Sequence, residues 1–158
     1  MKMIFYIFIH FLTFFYGTIN QNLNTSLGTV KIATILPNTN PDLIYWQGYP
    51  NSAAAVTRAL EVARENNTML ERVNFEFVWT INECVASEAA GELFNLINVQ
   101  KVQVLFGPPC SSTANVASNI AEYYNIPLYL FGTSGLREIT GISTSKVVTS
   151  VMPSYSGN

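Results

Sequence analysis

Three observations predict an α/β fold built on a doubly wound parallel sheet. Short apolar runs that stop at Pro or Gly alternate with longer stretches carrying an apolar face. Their order is strand, helix, strand, helix, strand, helix, strand, short helix, strand. Hydrophobic residues make up 49% of the chain and charged residues 11%, which supplies a core and excludes a charged, disordered tail. Such alternation gives parallel strands joined by right-handed crossovers, with helices on both faces.

Val30 to Leu36 is a short apolar run that stops at Pro37, the pattern of a buried strand. Asn38 to Gln47 is read as a loop containing Pro41, Asp42 and Trp46. Pro50 and Asn51 open a helix that ends at Asn66-Asn67. Ala53, Ala54, Val56, Ala59, Leu60 and Ala63 are expected on its inner face, with Arg58, Glu61, Arg64 and Glu65 outward. Val73 to Trp79 alternates apolar and polar residues, which suits a strand near a sheet edge. Ser87 to Val99 is expected to be helical, capped by Ser87, with Ala90, Leu93, Phe94 and Ile97 inward. Val102 to Phe106 forms the next strand, Thr113 to Tyr124 a helix, and Pro127 to Phe131 a strand ended by Gly132. Gly135 to Gly141 reads as a turn or short helix, Lys146 to Val151 as a fifth strand, and Pro153 to Asn158 as a trailing end. The predicted strand order is 2-1-3-4-5, with Val30 to Leu36 in the interior.

Residues 1–19 read as a secretory signal peptide. Lys2 precedes the apolar run Ile4 to Tyr16, and small or polar residues follow at Gly17 and Thr18. The run is shorter than the roughly 20 residues of a membrane span. Residues 20–29 are a polar lead-in and 30–158 one lobe; the roughly 140 residues that follow the signal are enough for a single core. A secretory chain meets an oxidising compartment, where Cys84 and Cys110, its two cysteines, can pair. Asn24 and Asn66 begin Asn-x-Ser/Thr sequons, so both are candidate glycosylation sites. The sole histidine, His10, lies inside the signal. The mature chain therefore lacks the base of a Ser-His or Cys-His pair and a histidine ligand for zinc. A net charge of −2 without a Lys/Arg block gives no nucleic-acid footprint. No cofactor, metal site or catalytic set is expected.

In an open α/β sheet, ligands bind beyond the C-terminal ends of the strands. The loops that gather there are Pro37 to Gln47, Thr80 to Ser87, Gly107 to Thr113 and Gly132 to Arg137. In Gly107-Pro108-Pro109-Cys110-Ser111-Ser112-Thr113, the amides of the three hydroxyl residues would open a helix and face an anion. The absence of Gly-Lys-Ser/Thr excludes a P-loop, and Ser112 or Thr113 could instead simply cap the helix. Gly132-Thr133-Ser134-Gly135 lacks the glycine two residues after the serine that a nucleophile elbow requires; Leu136 stands there. Ser111, Ser112, Thr133 and Ser134 are thus candidate ligand-binding residues, suited to a ligand carboxylate. A Cys84–Cys110 bond would tie two neighbouring loops, with Cα atoms within about 7 Å. Tyr45, Trp46 and Tyr49 would either contact a partner or cover the helix beside them.

Several segments together resemble a known family. They are Val30-Lys31-Ile32-Ala33-Thr34-Ile35-Leu36-Pro37, the Gly48-Tyr49-Pro50 helix entry, Val104-Leu105-Phe106-Gly107-Pro108-Pro109-Cys110, Tyr124-Asn125-Ile126-Pro127 and Phe131-Gly132-Thr133-Ser134. They are similar to the receptor-family ligand-binding region, a type I periplasmic-binding-protein-like fold shared by natriuretic peptide receptors, membrane guanylate cyclases and glutamate-receptor ectodomains. Among these, the receptor-type guanylate cyclases of invertebrates are most alike. The resemblance implies the first lobe of a bilobal ectodomain, truncated, with no cyclase region. It implies an extracellular peptide or small-molecule ligand, a homodimeric full-length receptor and a membrane anchor downstream. A glutamate-receptor-like amino-acid-binding domain is the alternative. In natriuretic peptide receptors, a chloride is held partly by the amides of the cysteine and the residue before it. Here that residue is Pro109, which has no N–H, so Cys110 alone matches.

Overall fold

The computed structural model describes residues 28–66, 73–132 and 145–150. Five strands, β1 (Gly28–Leu36), β2 (Val73–Ile81), β3 (Val104–Phe106), β4 (Leu128–Leu130) and β5 (Val148–Ser150), form one sheet. Its order is β2-β1-β3-β4-β5 and every pairing is parallel, as the element order predicts. The helices are α1 (Ile44–Gln47), α2 (Tyr49–Asn66), α3 (Ala86–Asn98) and α4 (Ser111–Tyr124). The expected Gly135 to Gly141 turn, the end at Pro153 to Asn158 and the signal at 1–19 lie outside the described residues.

Chain direction decides which helix covers which face. The step from β1 to β2 runs one way across the sheet; those from β2 to β3 and from β3 to β4 run the other. Right-handed crossovers therefore place α2 on one face and α3 and α4 on the opposite one. The α3/α4 face carries the core. Ala33, Ile35, Leu105, Leu128 and Leu130 of the sheet meet Leu93, Leu96 and Ile97 of α3 and Ala114, Ala117 and Ala121 of α4. Alanine at every sheet-facing turn of α4 lets that helix approach the strands closely.

The other face is aromatic and, apart from the buried Thr34 and Leu36, only half-buried. Register places Ile32, Phe77 and Val104 side by side, and Thr34, Trp79 and Phe106 beyond them. Tyr49 at the start of α2 meets Trp79 edge-on, with ring centroids 5.5 Å apart. Near its end, the Arg64 guanidinium lies 6.0 Å from the Phe75 ring centre and donates to the Val73 carbonyl at 3.4 Å. Arg64 is therefore turned toward the sheet, not outward, because its long stem can cover apolar surface while its head finds a carbonyl. Ala54 and Ala59, expected inside, are exposed, and the half-buried side of α2 is Ala53, Val56, Leu60 and Ala63.

Two further expectations change. Phe94 is 58% exposed, while Ala89, Leu93, Leu96 and Ile97 form the buried stripe of α3. Leu93 and Phe94 lie about 100° apart around a helix, so the sheet can bury only one of them fully. Ser87 is not the N-cap: Val85 holds that position, with no side-chain cap. The buried Asn82 organises the turn instead, accepting from the Val85 N–H at 3.1 Å and donating to Glu92 at 3.2 Å. The stretch read as a loop from Asn38 to Gln47 contains the single turn α1.

Candidate functional site

The edge where the strands end is assembled from four segments. The first joins β1 to α1, the second β2 to α3 and the third β3 to α4; the fourth follows β4. Their first anchors are backbone bonds. The Asn82 N–H donates to the Leu36 carbonyl at 3.1 Å, the Tyr49 N–H to Pro37 at 2.8 Å and the Gly107 N–H to Tyr129 at 2.8 Å. Gly107 has φ +84°, and a Cβ there would run into the Ile35 carbonyl, so only glycine allows this loop to leave β3 so close to β1. Gly132 has φ +77° and lies against the Gln47 side-chain amide, which brings the end of α1 to the end of β4. The Gly107–Pro108 peptide is cis.

Cys84 and Cys110 form a disulfide with Cα atoms 5.6 Å apart, joining the second and third segments as expected. Ser112 reinforces the link by donating its hydroxyl to the Cys84 carbonyl at 3.3 Å. Thr113 is buried and donates to the Cys110 carbonyl at 3.0 Å. Neither hydroxyl caps α4. Its N-cap is Cys110, which makes no side-chain cap hydrogen bond. Ser111 and Ser112 are exposed at that helix start. The structure thus brings Ser111 and Ser112 to the edge; Thr133 and Ser134 lie outside the described residues, immediately after Gly132. Asn66 is the last residue of α2, and Asn24 lies outside the described residues.

The aromatic trio divides. Tyr45 is 78% exposed, whereas Tyr49 packs on Trp79 and serves the fold. The Trp46 side chain falls outside what the structure describes.

The edge residue that sequence reasoning misses is Glu83. Its Oε1 accepts from the N–H groups of Asn38 at 2.8 Å and Thr39 at 2.9 Å, and its Oε2 from that of Asn40 at 2.9 Å. Partial desolvation pushes this carboxyl upward, but the bonds from the Asn38, Thr39 and Asn40 segment outweigh it and hold it below the usual range. Glu92 moves the other way. Burial raises it, with repulsion from Glu88 adding to that, against a lowering bond from Asn82. Gln47 was not foreseen either; its Oε1 is buried without a hydrogen-bond partner. Among the described residues, no cluster of three or more His, Cys, Asp or Glu could hold a metal, and no helix is long and apolar enough to cross a membrane.

A parallel sheet in this order, with its strand-end loops joined into one rim, is a doubly wound α/β architecture. Solved structures agree on the fold. A possible leucine/isoleucine/valine-binding protein from Rhodopirellula baltica superposes with a TM-score of 0.65 at 16% identity, covering 83% of this chain and 33% of that one. A leucine-binding protein from Thermotoga maritima gives 0.57 at 24% identity, covering 77% of this chain and 32% of that one. Residues 51–156 match the receptor family ligand binding region, and the chain belongs to that family. It is homologous to part of the receptor-type guanylate cyclases. It is 31% identical over 117 residues to gcy-14 of Caenorhabditis elegans, covering 74% of this chain and 10% of that protein. It is 34% identical over 62 residues to guanylate cyclase 2G of Mus musculus, covering 39% of this chain and 6% of that protein. The chain thus spans about a tenth of the length of such relatives, and the part it matches is a ligand-binding region rather than a catalytic one.

Proposed function

We infer that this chain is the first lobe of the extracellular ligand-binding region of a receptor-type guanylate cyclase. Residues 1–19 act as its secretory signal, 20–29 as the lead-in and 30–158 as the lobe. The observation that carries this reading is the family match over 51–156, which contains both cysteines of the disulfide. The whole receptor is a homodimer anchored through a segment beyond this stretch and glycosylated at Asn24 and Asn66. Its cyclic GMP is made by a region that this stretch does not contain.

The ligand contacts the rim through Ser111, Ser112, Thr133 and Ser134. The start of α4 supports this assignment. Its N-cap makes no side-chain cap bond, and an uncapped helix N-terminus favours an anionic group. The hydroxyls add neutral donors for a ligand carboxylate. Expression of the intact protein in cells tests the class. An epitope tag placed after residue 19 should stain unpermeabilised cells, and their membranes should convert GTP to cyclic GMP above the level of mock cells. Intracellular tag and no cyclic GMP would overturn the reading.

A further inference from the structure

Three consecutive amides turned toward one carboxylate make an anion-holding concavity, and here the anion comes from a different loop. Asn38, Thr39 and Asn40 stand 43 to 45 positions before the Glu83 side chain they hold, at 2.8 to 2.9 Å. The next residue, Cys84, is fixed to the third loop by its disulfide and accepts from Ser112. Asn40 also reaches the Cys84 Sγ with its side-chain amide, at 3.8 Å. The residue before Glu83, Asn82, is bonded through its N–H to the end of β1 at Leu36. One tripeptide, Asn82-Glu83-Cys84, therefore touches both neighbouring loops of the rim.

We propose that Glu83 is a positioning residue for the ligand rim: its carboxylate holds the Pro37–Leu43 loop against the two disulfide-joined loops, so that the rim is preorganised before any ligand arrives. This rests on the reading of the rim as the ligand edge. The grip consists of three backbone amides with a side-chain bond from Thr39 beside them. Segments 37–43, 82–92 and 107–115 contain no Lys, Arg or His, and their other ionisable groups are Asp42, Glu88 and Glu92. Within these three segments no cation competes for the carboxylate, and hydrogen bonds to a charged acceptor are about twice as strong as neutral ones. Glu83→Gln keeps the size and loses the charge; Glu83→Ala empties the concavity. The loop lies at the surface, so its amides turn to water when released and the sheet remains.

Amide hydrogen exchange on the intact receptor tests the proposal. In Glu83→Gln and Glu83→Ala, exchange at Asn38, Thr39 and Asn40 should rise by about tenfold or more, while Ala33 to Leu36 stay protected. Added formate should slow exchange again in Glu83→Ala, because the small carboxylate can enter the emptied concavity, and should do nothing in Glu83→Gln. A purely packing role for Glu83 would show no formate rescue. Unchanged exchange at these three residues in both variants overturns the proposal, as does loss of protection throughout β1, β2 and β3. If Glu83→Ala does not fold, Glu83→Gln decides alone, by the same difference between loop and strand. No ligand enters the measurement, so a failed clamp leaves the rim's ligand role standing, and the reverse also holds.

Discussion

Thr34 is only 1% exposed, and its hydroxyl has no hydrogen-bond partner. Thr34→Val keeps the branched shape and removes a desolvated hydroxyl, so it should be neutral or stabilising by about 1 kcal/mol, read by urea unfolding. Glu92 and Glu83 respond to pH with opposite signs. Glu92 is raised in the folded state, so its contribution is fullest below the unfolded value and is lost as pH rises through the folded one. Glu92→Gln should therefore stabilise the protein at neutral pH, and the gain should vanish in acid; a gain independent of pH would contradict the assigned cause. Glu83 is lowered, so its contribution is present above the unfolded value and is lost as pH falls through the folded one. At this scale the cysteine pair was legible, because two cysteines in an oxidising compartment leave one intramolecular choice. The grip of Glu83 was not. A carboxylate that binds backbone amides far upstream leaves no periodic or motif signal, since any residues can supply those amides.

The strands were the most legible elements, because short apolar runs bounded by Pro or Gly leave few other readings. The alternation in Val73 to Trp79 matches the edge position of β2, where one sheet face meets α2 and the other is half-covered. Helix orientation was harder to read. Period alone could not choose between Leu93 and Phe94, nor show that Arg64 would cover Phe75. The helix start at Ala86 was missed because the stabilising group, Asn82, precedes the first turn and acts on the Val85 amide rather than from the N-cap position. Gly91 lies in α3 with open space around it, where a Cβ would meet nothing. Gly91→Ala should therefore stabilise the protein by about 0.5–1 kcal/mol, through helix propensity and lost unfolded-state freedom. Thermal unfolding would check this, and destabilisation would mean that the exposed surface of α3 meets something here.

At the scale of the whole molecule, the disulfide and Glu83 tie three strand-end loops into one rim above a well-packed α3/α4 face. The opposite face keeps Phe106 stacked on Phe131 and Tyr129 at 40% exposure, with α2 covering the β2 side. Removing the disulfide by Cys84→Ser with Cys110→Ser opens a loop of 26 residues and should cost roughly 3 to 4 kcal/mol by the chain-entropy account, measured by urea unfolding of the secreted protein. The sheet order could be read from the sequence because strands and helices alternate and the pattern of Val73 to Trp79 marks that strand as an edge. The convergence of hydroxyls could be read only as far as Ser111 and Ser112, whose place at the start of α4 follows from the strand-loop-helix order. The central claim, that the hydroxyl rim takes the ligand, has a direct measurement. The secreted ligand-binding region is screened by thermal shift against free amino acids and peptides, and the shift given by a stabilising compound is then measured in Ser111→Ala with Ser134→Ala and in Tyr45→Ala. The shift should be lost in the double hydroxyl variant and kept in Tyr45→Ala; an unchanged shift in the double variant would contradict a ligand held by the hydroxyls.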